Sequence, residues 1–143
     1  MSSNLNKKDL RVHASELEGG DEDALLLHGK PFTGTAYEQY ANGQLREEVS
    51  YVEGYSNGPC KSWYENGQLK EEYVALPGRA PDKSMGWHDN GALRHCTERE
   101  LGVRVAHKEW DSDGRLVVNE KLEPGTFWHS HLLKLRETGA PWK

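Results

Sequence analysis

Lys61-Ser62-Trp63-Tyr64-Glu65-Asn66-Gly67-Gln68-Leu69-Lys70-Glu71-Glu72-Tyr73-Val74-Ala75-Leu76-Pro77-Gly78 is the stretch that decides the fold. An Asn-Gly pair stands near its middle, and a second glycine follows eleven positions after the first. The same arrangement recurs on both sides. Asn42-Gly43, Asn66-Gly67, Asn90-Gly91 and Asp113-Gly114 space their glycines 24, 24 and 23 residues apart. Gly54, Gly78, Gly102 and Gly125 each follow by eleven, and Leu45, Leu69, Leu93 and Leu116 each follow by two. Trp63, Trp87 and Trp110 stand four before, where the first copy has Gln39. Tyr40, Tyr64 and His88 fill the next slot, and Asp111 breaks it. Several columns agreeing over four copies define a tandem repeat.

Each copy reads as a β-hairpin. Asn-Gly and Asp-Gly suit a two-residue type I′ turn, in which both central residues need φ > 0. Such a turn predicts Tyr64 opposite Leu69 on one face, Trp63 opposite Lys70 on the other, and Lys61 opposite Glu72. It likewise predicts Tyr40–Leu45 and His88–Leu93 on the first face, and Gln39–Arg46 and Trp87–Arg94 on the second. One hairpin is marginal alone, so the copies must stack or run on as one meandering sheet.

These residues resemble MORN repeats, and more narrowly the MORN-variant repeats of bacterial toxin–antitoxin and toxin–immunity proteins. Trp63, Tyr64, Glu65, Asn66, Gly67, Leu69, Lys70, Glu71, Glu72, Tyr73 and Gly78 carry the resemblance, with Gly29 to Gly34 as a typical opening. It spans roughly Gly29 to Gly125 and fades toward the end. His95 and Cys96 replace Glu71 and Glu72 in the third copy, and Val117 and Val118 follow the fourth leucine. The resemblance implies a mainly β fold of tandem hairpins in an extended, twisted antiparallel sheet.

The chain has 143 residues, so one domain spanning 1–143 is expected. Its 16 Leu, 8 Val and 2 Phe, with no Ile, make a thin aliphatic core, offset by 13 aromatics. Residues 1–28 precede the repeats. They hold a loose alternation from Leu10 to Leu17, an acidic loop from Glu16 to Asp23, and a short strand at Leu25–Leu27. Residues 29–125 hold the four repeats. Residues 126–143 hold a capping helix and tail: Trp128, Leu132 and Leu135 fall on one helix face, and Gly139 and Pro141 stop it. No apolar run reaches transmembrane length and the start lacks a signal-like core, so a cytoplasmic location is expected. Cys60 and Cys96 are then free thiols by default, although one bridge remains open.

The chemistry-bearing patterns are sparse. His129 and His131 point to different sides of a helix, and no metal-ligand spacing occurs. Glu47-Glu48 and Glu71-Glu72 are neighbours on strands, so each pair splits between two faces. No nucleophile elbow or phosphate loop is present, so the expectation is a protein that is not an enzyme and needs no cofactor and no metal. The candidate partner-binding residues are Trp63, Trp87, Trp110, Lys70 and Arg94, because aromatics and cations dominate hot spots. Glu47, Glu48, Glu71 and Glu72 join them as residues that steer a basic partner. The packing reading of the tryptophan column competes with this one. The resemblance implies an immunity protein or antitoxin that occludes a cognate toxin domain, such as a basic nuclease-type effector. A formal charge of −5 and pI near 5.8 argue against direct nucleic-acid binding. The alternative is a MORN-type scaffold or adaptor for lipid or other proteins.

Overall fold

The computed structural model describes residues 10–20 and 23–139. The strands are β1 (Arg11–His13), β2 (Glu18–Gly19), β3 (Leu25–Leu27), β4 (Lys30–Pro31), β5 (Gly34–Gln39), β6 (Leu45–Val52), β7 (Tyr55–Trp63), β8 (Leu69–Ala75), β9 (Lys83–Trp87), β10 (Leu93–Glu100), β11 (Val103–Trp110) and β12 (Leu116–Lys121). A single 3-10 turn (Ala14–Glu16) follows β1, and an α-helix, α1 (Phe127–Thr138), follows β12 among the described residues. Strands β5 to β12 form one antiparallel meander, as the repeat requires. The sheet is not wholly antiparallel: β1 adds to its edge parallel to β5, Val12 opposite Ala36. A second small sheet, β2-β3-β4, takes in the expected strand Leu25–Leu27 and part of the expected acidic loop. Asp21 and Glu22 of that loop lie outside the described residues, as does the Pro141 stop.

The Asn-Gly turns differ from expectation. Only the glycines Gly43, Gly67 and Gly91 have positive φ; their asparagines do not. Gly67 N–H donates to the Tyr64 carbonyl at 2.9 Å, and Tyr64 N–H donates to the Gln68 carbonyl at 2.8 Å. The loop therefore has three residues, with left-handed Gly67 as a bulge. The asparagine side chain serves this loop. Asn66 Oδ1 accepts from Gln68 N–H at 2.9 Å, while its Nδ2 donates to the Asp89 carbonyl of the next repeat at 2.9 Å. A second bulge at Lys70 follows. Trp63 thus faces Leu69 rather than Lys70, whereas Lys61 still faces Glu72. Two-residue turns with both φ positive occur at the other end of the sheet, at Glu53-Gly54 and Leu101-Gly102.

Side chains also join the repeats to one another. Tyr40 Oη donates to the Trp63 carbonyl and Tyr64 Oη to the Trp87 carbonyl, both at 2.7 Å. His88 Nε2 meets the Trp110 carbonyl at 2.8 Å. Asn42 and Asn90 repeat the Asn66 contact, reaching the Glu65 and Ser112 carbonyls. Each hairpin thus satisfies backbone carbonyls of the one after it, which is why the period stays so regular.

The core is one row of directly paired residues: Val12, Ala36, Val49, Cys60, Tyr73, Ser84, Thr97 and His107. Val12, Ala36, Cys60 and Thr97 are buried in it, which defines an inner face. At its start, Phe32 packs with Val12 and Ala36, and Leu27 and Tyr51 pack against them. Cys60 and Cys96 are both free. At the other end, the Thr126 side chain caps α1 by accepting from His129 N–H, and Gly139 ends it at φ 80°. Leu132 is buried, but Trp128 from the same expected face is 57 % exposed. Arg136 makes two 2.7 Å bonds to Glu100, so the helix reaches back to β10. It leaves five of the six β12 residues exposed instead of capping the open strand.

Candidate binding surface

The second bulge has a chemical consequence. It turns two consecutive residues of each repeat toward the inner face: Arg46 with Glu47, Lys70 with Glu71, and Arg94 with His95. The register gives an unbroken row across the sheet: Glu38, Glu47, Ser62, Glu71, Gly86, His95, Glu109 and Val118. Arg46 pairs with Glu38. Lys70 Nζ lies 5.5 Å from the Tyr64 ring centroid. Arg94 Nη2 lies 2.8 Å from Glu71 Oε1. Where repeats one and two carry a carboxylate, repeat three carries His95. Its ring occupies the space that the missing Cβ of Gly86 leaves: a Cβ there would meet His95 Nε2 at 2.4 Å.

His95 Nε2 stands 3.8 Å from Glu71, and its ring centroid stands 6.5 Å from that of His107. His107 Nε2 contacts Glu109 at 3.2 Å, and its Nδ1 contacts the buried Thr97 hydroxyl at 2.7 Å. Burial, then the neighbouring Arg94 guanidinium, push the His95 pKa below its ordinary value, against a smaller opposing pull from Glu71. One row inward, Tyr73 is pushed up to about 12 by burial and by adjacent Cys60, with Glu47 and Glu71 adding to it. Tyr51 is raised for the same leading reason, with Glu47 the next cause. A cavity of about 330 Å³ between the first two repeats is lined by Tyr40, Arg46, Glu47, Ser62, Trp63, Lys70 and Glu71. Among the described residues no group of three or more His, Cys, Asp or Glu is placed to hold a metal ion.

Five of the sequence candidates therefore come together: Glu47, Trp63, Lys70, Glu71 and Arg94. Glu48 and Glu72 lie on the opposite face, in a row through Tyr37, Glu48, Lys61, Glu72 and Met85. There Glu48 pairs with Arg11, whose guanidinium sits 4.5 Å from the Tyr37 ring centroid. Trp63, Trp87 and Trp110 are half-buried at the turn end of the sheet, each opposite a repeat leucine. The bulge sets Trp63 and Trp87 opposite the leucine rather than the cation, yet Trp63 still lines the same cavity as Lys70 and Glu71. Glu38, His107 and Glu109 were not legible as surface residues. Their one signal was the break in the repeat at Gly86 and His95.

Residues 32–53 and 56–74 match the family model described as MORN repeat variant. Over these segments the chain is similar to MORN-variant repeats. The MORN geometry continues past them: His88, Asn90 and Gly91 repeat the contacts of Tyr64, Asn66 and Gly67 one hairpin further on. No curated protein and no solved structure matches the chain. The match supports a repeat scaffold or binding module. No helix among the described residues is long and apolar enough to cross a membrane.

Proposed function

We propose that this chain is a non-catalytic protein-binding module, and that it serves as an immunity protein or antitoxin, neutralising a cognate toxin by stoichiometric occlusion. The observation that carries the binding reading is the inner-face row, in which Arg46, Glu47, Lys70, Glu71 and Arg94 recur with the repeat on an open sheet. Such a surface suits a broad protein partner more than a small substrate, because it offers many oriented charges over a wide area and no single convergent centre. The toxin reading is supported by the likeness of the repeats to those of toxin–immunity proteins and by the acidic balance of −5, which favours a basic partner.

Tagged protein captured from its native host, followed by mass spectrometry and a growth assay, tests both levels. The expected outcome is one stoichiometric partner that arrests growth when expressed alone and is silenced by this chain. Charge reversal at Lys70 and Arg94 should weaken that complex at least ten-fold. A specific partner that is harmless alone would remove the toxin reading and leave the adaptor. Binding to lipid vesicles with no protein partner would remove both.

A further inference from the structure

We propose that the outer edge of β12, with the fourth turn, receives an extended strand of a partner protein that carries a basic side chain at its turn-side end. This rests on the protein-binding reading above and names its contact surface. Within the chain the same kind of joint is made three times, β6 to β7, β8 to β9 and β10 to β11. The fourth such edge, β12, ends the sheet and has no neighbour among the described residues. Leu116 is 49 % exposed and Val117 61 %, whereas Leu45, Leu69 and Leu93 in the earlier copies are half-buried.

The open groups follow from the register. Leu122 N–H donates to the Val105 carbonyl, and Glu120 and Val118 pair with His107 and Glu109. Alternation then directs the N–H and C=O of Asn119 and Lys121 away from β11. The fourth turn has also changed its chemistry. In the earlier turns Tyr or His and Asn donate to carbonyls of the next hairpin. Here Asp111 and Asp113 take those slots, and a carboxylate only accepts. Asp111 Oδ1 satisfies its own turn, taking Asp113 N–H at 3.0 Å and Arg115 N–H at 2.9 Å. An incoming hairpin of the same repeat would set carbonyls against carboxylates. A strand ending in Arg or Lys would supply the donors instead.

A second copy fits poorly. The bulge at Val117 interrupts the edge, and the two-fold pairing that joins Asn119 to Lys121 of the other copy sets Glu120 against its own counterpart.

The test titrates the isotopically labelled full chain with two blocked peptides, followed by amide NMR. Each holds the Val103–Trp110 sequence, which already docks on a repeat edge of this kind, followed by two arginines or by two glutamates. The expected result is a shift of the Asn119 and Lys121 amides, with the arginine peptide binding at least ten-fold tighter. Asn119→Pro removes one outward N–H from an edge position where proline is tolerated, and should abolish binding. Asp113→Asn restores the residue that the other turns hold and should erase the preference for arginine; it keeps the test decisive if the proline variant unfolds. No shift on β12 at millimolar peptide, equal binding of both peptides, or a dimer broken by Asn119→Pro would each overturn the proposal. Peptide binding without a toxic partner would remove the immunity reading alone.

Discussion

Replacing Tyr64 with Phe deletes one oxygen and leaves the ring in place. That oxygen makes one of two turn-side hydrogen bonds that add to the β8–β9 pairing between the second and third hairpins, donating to the Trp87 carbonyl at 2.7 Å in a part-buried site. A net hydrogen bond of this kind stabilises by about 1 kcal/mol, and the orphaned carbonyl can raise the loss toward about 2 kcal/mol where water is excluded. Partial exposure favours the lower figure. In a domain of this size the melting temperature should fall by roughly 3–5 °C. Tyr40→Phe should match it, because Tyr40 makes the equivalent bond to Trp63 at the same distance. Asn66→Asp removes the companion donor to Asp89 while keeping the acceptor that Gln68 N–H uses. Since both contacts cross one joint, the double variant should depart from additivity by about 0.5 kcal/mol or more. Urea unfolding followed by tryptophan fluorescence reads all of these. If Tyr40→Phe and Tyr64→Phe both leave the free energy within about 0.3 kcal/mol of the parent, the ladder does not hold the repeats together.

Other consequences are equally direct. Gly86→Ala places a Cβ where His95 Nε2 now sits; it should cost about 1 kcal/mol by urea unfolding, since the ring must swing away, and His95→Ala in the same chain should recover most of it. His95 has its folded pKa below the free value, so the unfolded chain takes up the proton first. Stability from this group is therefore complete above about pH 6.5 and falls as acid is added below it; His95→Gln should flatten that part of the pH–stability curve. Tyr73 has the opposite window: with its pKa pushed up to about 12, stability should be lost as pH rises from about 10 toward that value, and Tyr73→Phe should remove the loss. Leu132 is 2 % exposed and Trp128 57 %, so Leu132→Ala should cost about 2–3 kcal/mol and Trp128→Ala less than about 0.5 kcal/mol; the reverse order in denaturant midpoints would show that α1 docks through Trp128.

What the sequence made legible was whatever a single hairpin decides for itself. Glycine spacing fixed the period, the aromatic–leucine columns fixed the strands, and Thr126 with Gly139 bounded the helix to within a residue. What it hid depended on partners far along the chain. Asn66 reads locally as a left-handed turn former, yet its amide is held by Asp89, 23 residues away, and that contact goes with a right-handed asparagine and a three-residue loop. The altered loop inserts the bulge at Lys70, and the bulge sends Lys70 to the face of Glu71. The three-residue loop, which the fourth turn also forms between Asp111 and Arg115, thus separates the expected register, with Trp63 opposite Lys70, from the observed one, with Trp63 opposite Leu69. The parallel pairing of β1 was hidden for the same reason, since Arg11–His13 carries a strand pattern but no mark of its partner. The breaks in the repeat are therefore more informative than the repeat itself. Regular columns describe how hairpins join one another. Gly86 with His95 break the column while their hairpins stay joined, whereas Asp111 with Asp113 sit where the joining rule is suspended, so their chemistry answers to something other than the next hairpin.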